Sequence, residues 1–303
     1  MNRRPPDPNS VPTIAEQRRL LAVNRAAVMF YRRQLLKAST EWAKRYLMRG
    51  APEVLDPNSN WSIGFAPDAR SQLTDSLRVK GFDLASVRNA GLALLDPEGR
   101  TIDRFRDQLM LPTRNNQLET VGFIGVRADP SPFYATSPST QVHRRSNALV
   151  GIAEQLDLLT EGAVPVVVNS PLDPLAIERV SRLTTGRWSG IPLCDTLLSA
   201  QQARILARYA ATDSVIVAAR DSESAAVGLL DDLARFFPRV WAVELPPLTS
   251  VNTVAADPAG QQFLHDTLLM ARPLADYRRR RPRRRSTTQE AAPEHPDRGP
   301  ALD

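Results

Sequence analysis

The chain has 303 residues, 42% hydrophobic and 24% charged, enough to bury the core of one large or two ordinary domains. Its single cysteine, Cys194, excludes a disulfide framework and any multi-cysteine zinc site, so zinc is not expected and a reducing, cytoplasmic setting is. No stretch approaches the roughly 20 apolar residues of a membrane span, MNRRPPDPNS has no apolar segment behind its basic residues, and a formal charge of +6 points to a polyanionic partner rather than a membrane.

Residues 1–12 are proline-rich and expected to be disordered. Thr13 and Glu16 then have the spacing of a capping box, in which hydroxyl and carboxylate each serve the other's backbone N–H. A long helix is expected to about Met48, with Leu20, Leu21, Val28, Tyr31, Leu35, Ala38, Trp42 and Leu47 as its apolar face and a basic opposite face. Asp68 is placed to cap a short helix ending at Lys80 and Gly81, and Asp83 to open another ending near Gly91. From Leu92 to Tyr134, short apolar pieces broken by PEG, RNNQ and ADPSP predict a mixed sheet with tight turns.

From Pro165 the pattern changes. VVVN precedes the helical LAIERVSRL; IPLC precedes a helix capped by Ser199 with Gln202; SVIVAA precedes ESAAVGLLDDLARF; and RVWAVEL follows. Alternation on this scale predicts a parallel α/β sheet with right-handed crossovers. The chain therefore divides into a start (1–12), a helix and α+β subdomain (13–160), an α/β domain (161–275) and a tail (276–303). In VVVNSPLD a buried strand runs into the loop where α/β sheets hold ligands, yet the residue at that mouth is Asn169 and the nearest acid is Asp173. The tail carries Arg278, Arg279, Arg280, Arg281, Arg283, Arg284 and Arg285, followed by STTQEAAPEHPDRGPALD; by composition it is disordered, and its arginines suit a phosphate-binding arm.

NWSIGFAPDARSQL, AGLALLDPEGRTIDRFRDQLMLP, VGFIGVR, PFYATSPST and NALVGI together resemble, in this order, the catalytic core of the bacterial DnaG-type DNA primases. That resemblance spans about residues 30 to 255 and is most specific at Asp103, Arg104, Phe105, Arg106, Met110 and Pro112. It implies an amino-terminal basic cleft followed by a TOPRIM metal-binding α/β fold, and an activity that makes RNA primers on single-stranded DNA from nucleotides. Arg104, Arg106 and Arg127 would line the cleft, and Arg145 stands where the family has lysine. Guanidinium groups grip phosphates without reading bases, which suits varied templates. Two cleft charges are missing, because the family's lysine and second arginine fall on Phe133 and Gln108.

The family pattern VVEGYMD falls on residues 167–173, so Asn169 replaces a glutamate thought to act as acid or base and to organise metal. An amide cannot take a proton at neutral pH and is the poorer Mg²⁺ ligand. The next acidic motif falls on Arg220, Asp221, Ser222 and Glu223, leaving Asp221 and Glu223 able to hold at most one Mg²⁺ or Mn²⁺ weakly; Asp221 equally suits a helix N-cap. The third pair falls on Ser250 and Asn252, which carry no charge. The family's zinc-binding and helicase-binding modules find no counterpart, so those roles are expected from separate partner chains. The reading is a primase-like TOPRIM protein that binds nucleic acid in replication with weakened or lost catalysis, against the alternative of a non-catalytic nucleic-acid platform or regulator. A TOPRIM nuclease or topoisomerase relative is disfavoured by the amino-terminal motifs.

Overall fold

The capping box forms in the computed structural model, which describes residues 10–37, 41–128, 134–183, 187–194, 198–219, 232–246 and 250–274. Glu16 N donates to the Thr13 hydroxyl at 3.2 Å, Thr13 N donates to the Glu16 carboxylate at 2.8 Å, and α1 (Ile14–Leu36) begins there. Its buried stripe is Leu20, Val23, Asn24, Ala27, Phe30, Tyr31, Gln34 and Leu35, with Leu21 and Val28 at its half-buried margin. The single helix expected to Met48 is two helices. Lys37 turns to φ −68°, ψ 155°, and α2 (Glu41–Gly50) follows. The turn lets Leu35 of α1 and Ala43 and Leu47 of α2 share one core cluster, which a straight helix could not do.

The basic face of α1 is only partly solvated. Arg32 Nη1 donates to the carbonyls of Val54 at 2.6 Å and Ile63 at 3.2 Å, and Nη2 donates to that of Asp56 at 2.5 Å, tying α1 to the chain entering β1 (Gly64–Ala66). A Cβ on Gly64 would strike the Tyr31 backbone and lie 2.7 Å from Arg32 N, so only glycine admits this close crossing. The helix α3 (Gln72–Val79) is not capped by Asp68. Asp103 supplies the cap from far downstream, accepting Leu73 N at 2.8 Å and Thr74 N at 2.9 Å. Asp83 opens α4 (Leu84–Asn89) as expected, accepting Ser86 N at 2.8 Å.

The strands β2 (Ala93–Leu95) and β3 (Thr101–Asp103) form a two-stranded ribbon. Next come β4 (Gln108–Arg114), β5 (Thr120–Val126), β6 (Tyr134–Thr136) and β7 (Leu149–Val150), which with β1 form a sheet of order β1-β4-β5-β6 and β7 beside β4. Its pairings are antiparallel, so the expected mixed sheet is corrected: the links from β4 to β5 and from β5 to β6 are too short for parallel crossovers. The α1 cluster covers one face, while Leu109, Leu111, Ile124 and Val126 join α2, Trp61 and Phe65 on the other.

The second half, after a short helix α5 (Leu156–Thr160), alternates as the sequence predicts over β8 (Val164–Val168), α6 (Asp173–Arg182), β9 (Trp188–Pro192), α7 (Ala200–Tyr209) and β10 (Ser214–Ala219), with β11 (Arg239–Glu244) following; most of the helix expected over ESAAVGLLDDLARF lies outside the described residues. These four strands are parallel in the order β11-β10-β8-β9, and β12 (Arg272–Pro273) runs antiparallel along β11. Ser199 and Gln202 form the expected capping box. Leu172, Leu175 and Cys194 pack into the cluster shared with α2, Trp61 and Phe65, so the halves bury a common core. Among the described residues no helix is long and apolar enough to cross a membrane.

A basic sheet end and a parallel-sheet mouth

The register of β4 and β5 puts two predicted arginines at the same end of the sheet. Leu109 lies opposite Val126, so Arg106 and Arg127 both emerge just beyond that pair, at one end of the antiparallel sheet, and both are exposed. Asp107, between Arg106 and β4, has φ 50° and accepts Trp42 Nε1–H at 2.6 Å, so α2 fixes the turn on which Arg106 stands. Arg104 is half-buried; its Nε donates to Gly91 O at 2.9 Å, and burial lowers its pKa. Gln108 is buried in β4, beside the glycine Gly125 that makes room for its amide. Phe133 lies outside the described residues.

Chain order around β8 reverses in the parallel sheet: β9 lies on one side and β10 on the other. The carboxyl ends of β8 and β10 therefore flank the switch point where such sheets hold ligands. Half-buried Asn169 follows β8 there. Val168 lies opposite Pro192, and Arg145 Nη2 donates to the Cys194 carbonyl at 2.6 Å, which brings Arg145 to the same mouth from the antiparallel half. Gln202 Nε2 holds this link, donating to the carbonyls of Arg145 at 3.0 Å and Ala148 at 2.8 Å. His143 nearby is buried and its Nδ1 donates to Pro138 O at 3.0 Å; burial lowers its pKa, and the charges of Arg144 and Arg145 add to that.

Asp173 is buried, and its carboxylate is engaged on both oxygens. Ser170 N donates to Oδ2 at 2.9 Å and Asn252 N donates to Oδ1 at 3.0 Å. Asn252 is the second residue of the helix Val251–Val254, whose N-cap is Ser250. Ser250 and Asn252 thus both serve a helix start. Asn252 Nδ2 also donates to Tyr46 OH on α2 at 3.1 Å. Burial raises the Tyr46 phenol pKa, with Asp173 and Tyr134 adding to the rise.

Sequence reasoning did not single out Tyr46, although its i, i+4 spacing from Trp42 was visible. It also missed that Asp103 caps α3. Asp221, Glu223 and the tail arginines from Arg278 to Arg285 lie outside the described residues. At the described part of the mouth the one carboxylate already accepts two backbone N–H groups, and no three His, Cys, Asp or Glu side chains among the described residues could hold a metal ion. These residues do not fit a two-metal centre.

The chain thus joins an antiparallel unit with an exposed basic end to a parallel α/β sheet, and comparison with known proteins places this fold. Residues 30–156 match the family model of the DNA primase catalytic core, N-terminal domain. The DNA primase of Deinococcus radiodurans is 29% identical over 233 residues, covering 76% of this chain and 39% of the relative. That of Synechococcus elongatus is 27% identical over 230 residues, covering 73% and 32%. This chain therefore spans well under half the length of these curated relatives. The RNA polymerase domain of Mycobacterium tuberculosis primase DnaG superposes with a TM-score of 0.73 at 25% identity, covering 87% of this chain and 86% of that one. A DnaG primase catalytic domain bound to ssDNA superposes with a TM-score of 0.72 at 22% identity, covering 88% and 83%. The chain is a divergent relative of the DnaG-type DNA primase catalytic core.

Proposed function

We propose that this chain is a primase-type TOPRIM protein that holds single-stranded nucleic acid during DNA replication, with primer synthesis weakened or lost. Residues 13–160 act as the helix and basic-cleft subdomain and 161–275 as the TOPRIM-like domain, with the start (1–12) and tail (276–303) as appended arms. Arg106, Arg127, Arg104 and Arg145 are read as phosphate contacts, which position a strand without selecting its sequence. The tail arginines add salt-dependent affinity.

The observation that carries the weakened chemistry is Asp173, whose two oxygens accept Ser170 N and Asn252 N instead of facing the mouth unengaged. Phosphoryl transfer in this class relies on carboxylates that hold Mg²⁺ or Mn²⁺ to polarise the reacting phosphates. Here any such ion would depend on Asp221 and Glu223, which supports one weakly held ion at most. Asn169 can orient a phosphate or nucleotide through its amide but cannot relay a proton. The same engagement of Asp173 favours a second reading, a non-catalytic platform onto which zinc-domain or helicase partner chains dock.

The test is fluorescence anisotropy on single-stranded DNA beside a primer-synthesis assay with Mg²⁺ and Mn²⁺, for wild type and Asn169→Glu. Salt-sensitive binding without robust synthesis is expected, and Asn169→Glu alone should not restore synthesis. Robust template-dependent synthesis by wild type, abolished in Asp221→Ala, would overturn the loss of catalysis. Absence of DNA binding at low salt would overturn both readings.

A further inference from the structure

Tyr46 is 41% exposed, although α2 is well packed beneath it: Ala43 and Leu47, on the inner face of the helix, are fully buried. A single exposed tyrosine means little by itself, since apolar side chains scattered singly over a surface are ordinary. Tyr46 differs in that its far end is fastened. Asn252 Nδ2 donates to its hydroxyl at 3.1 Å, and Asn252 is itself held through its backbone N–H, which donates to buried Asp173 at 3.0 Å. The ring is therefore anchored at its root by the helix and at its tip by a residue of the other half of the chain, and yet stays open to solvent. An aromatic side chain fixed at both ends has little rotamer freedom left to lose when a ligand lies against it, which is how preorganisation favours binding.

The surroundings of the ring decide the ligand. Four residues earlier on the same side of α2, Trp42 Nε1–H donates to Asp107 at 2.6 Å, so Tyr46 stands about 6 Å along the helix axis from the residue that meets the turn of Arg106. Tyr134 lies opposite Val126, the residue before Arg127. Burial raises the Tyr46 phenol pKa, and Asp173 and Tyr134 are both near enough to add to the rise. The ring thus lies between the basic end of the antiparallel sheet and the mouth of β8, and the elements that meet there carry the exposed arginines Arg49, Arg106 and Arg127. Cations that track a backbone beside an aromatic face are the two parts of a site for single strands without sequence preference.

We infer that the ring of Tyr46 is a stacking platform for one nucleobase of a single strand whose phosphates Arg106 and Arg127 hold. The platform rests on the strand-holding role proposed above and adds to it the one contact that touches a base. Stacking tolerates any sequence because every base presents a π-face, which suits arginines that read no base edges. With the hydroxyl held by Asn252, what Tyr46 offers a ligand is principally its ring. The clasp keeps that ring from swinging about its Cα–Cβ bond, and a base stacked on it carries the strand from the basic sheet end toward the mouth of β8.

The experiment sets the full chain against an oligothymidylate carrying one 2-aminopurine, a base analogue whose emission falls when it stacks, scanned along the oligonucleotide; 2-aminopurine riboside triphosphate serves as the free nucleotide. Wild type is expected to quench the oligonucleotide. Tyr46→Phe and Tyr46→Leu both lose the bond to Asn252 and differ in the ring, so comparing them separates stacking from the clasp. Tyr46→Phe should bind within about twofold of wild type and still quench, whereas Tyr46→Leu should bind about fivefold or more weakly and not quench. The dependence of affinity on salt should be the same in all three, because no ionic contact is removed. Undiminished affinity and quenching in Tyr46→Leu would overturn the inference and leave the strand-holding role intact. Equal losses in the two variants would do the same, reducing Tyr46 to a structural clasp. Quenching of the free nucleotide but not of the oligonucleotide would overturn the assignment to a strand. No strand binding at all by wild type would instead remove the role of the arginines, and the platform with it.

Discussion

Asp173 Oδ1 accepts the backbone N–H of Asn252 at 3.0 Å, so an acid at the mouth of β8 fastens the start of the helix Val251–Val254. Its other oxygen holds Ser170 N. Replacing Asp173 by Asn turns one acceptor into a donor facing a backbone N–H, inside a site that is 1% exposed. Asp173→Asn is therefore expected to lower stability by about 3 kcal/mol, the loss of a charged hydrogen bond plus an unsatisfied donor. Urea denaturation measures it; a variant as stable as wild type would show that Asp173 is dispensable to the loop.

The acid limb of the stability curve should report Asp83. Burial works against its charge, but Ser86 N–H, the Ser86 hydroxyl and Arg19 outweigh burial and bring its pKa from the ordinary 3.8 to about 2. Because the folded value is the lower one, the stabilisation is present above about pH 4 and fades as pH falls toward 2. The Tm of wild type should fall more steeply across that window than the Tm of Asp83→Asn. Arg19→Ala should remove part of the difference, since Arg19 Nη2 reaches Asp83 at 2.6 Å. Parallel curves for wild type and Asp83→Asn would refute the assignment.

Single-stranded DNA affinity should depend on Arg106 and Arg127 through phosphate alone. Each alanine substitution is expected to lower the slope of log affinity against log salt by about 0.7 and to weaken all sequences alike. Anisotropy titrations on two unrelated oligonucleotides at several salt concentrations read both quantities. A sequence-selective loss would mean that the arginines touch bases.

Alanine replacement of Arg278, Arg279, Arg280, Arg281, Arg283, Arg284 and Arg285 in the full chain should flatten the same salt slope further, each lost contact subtracting a similar increment. An unchanged slope and affinity would leave the tail no part in binding.

Two glycines should respond differently to alanine. At Gly64 the new methyl meets the Tyr31 backbone, which cannot move without displacing α1, and a loss of more than about 3 kcal/mol is expected. Gly99 has φ 77° but open space around it, so Gly99→Ala should cost only about 1 kcal/mol of backbone strain. Comparable losses at both sites would show that the α1 crossing can yield.

Local signals were legible in the sequence, and distant ones were not. The capping boxes at Thr13 and Ser199 and the cap at Asp83 were readable because donor and acceptor lie within three residues. The parallel alternation was readable because buried strands are continuous apolar runs. Asp103 could not be read as the cap of α3, because its partners lie 29 and 30 residues away. The three carbonyl acceptors of Arg32 were not legible, because they come from a loop that no helical pattern points to. The family resemblance located Asn169 and Asp173, but only the fold revealed that Asp173 is turned toward the backbone.

The hydrogen bond from Asn252 to Tyr46 joins residues 206 positions apart. During synthesis at about 5–20 residues per second, Tyr46 waits roughly 10–40 s before its partner has even been made. Through that interval α2 lacks this contact, which becomes available only once Asn252 has been made.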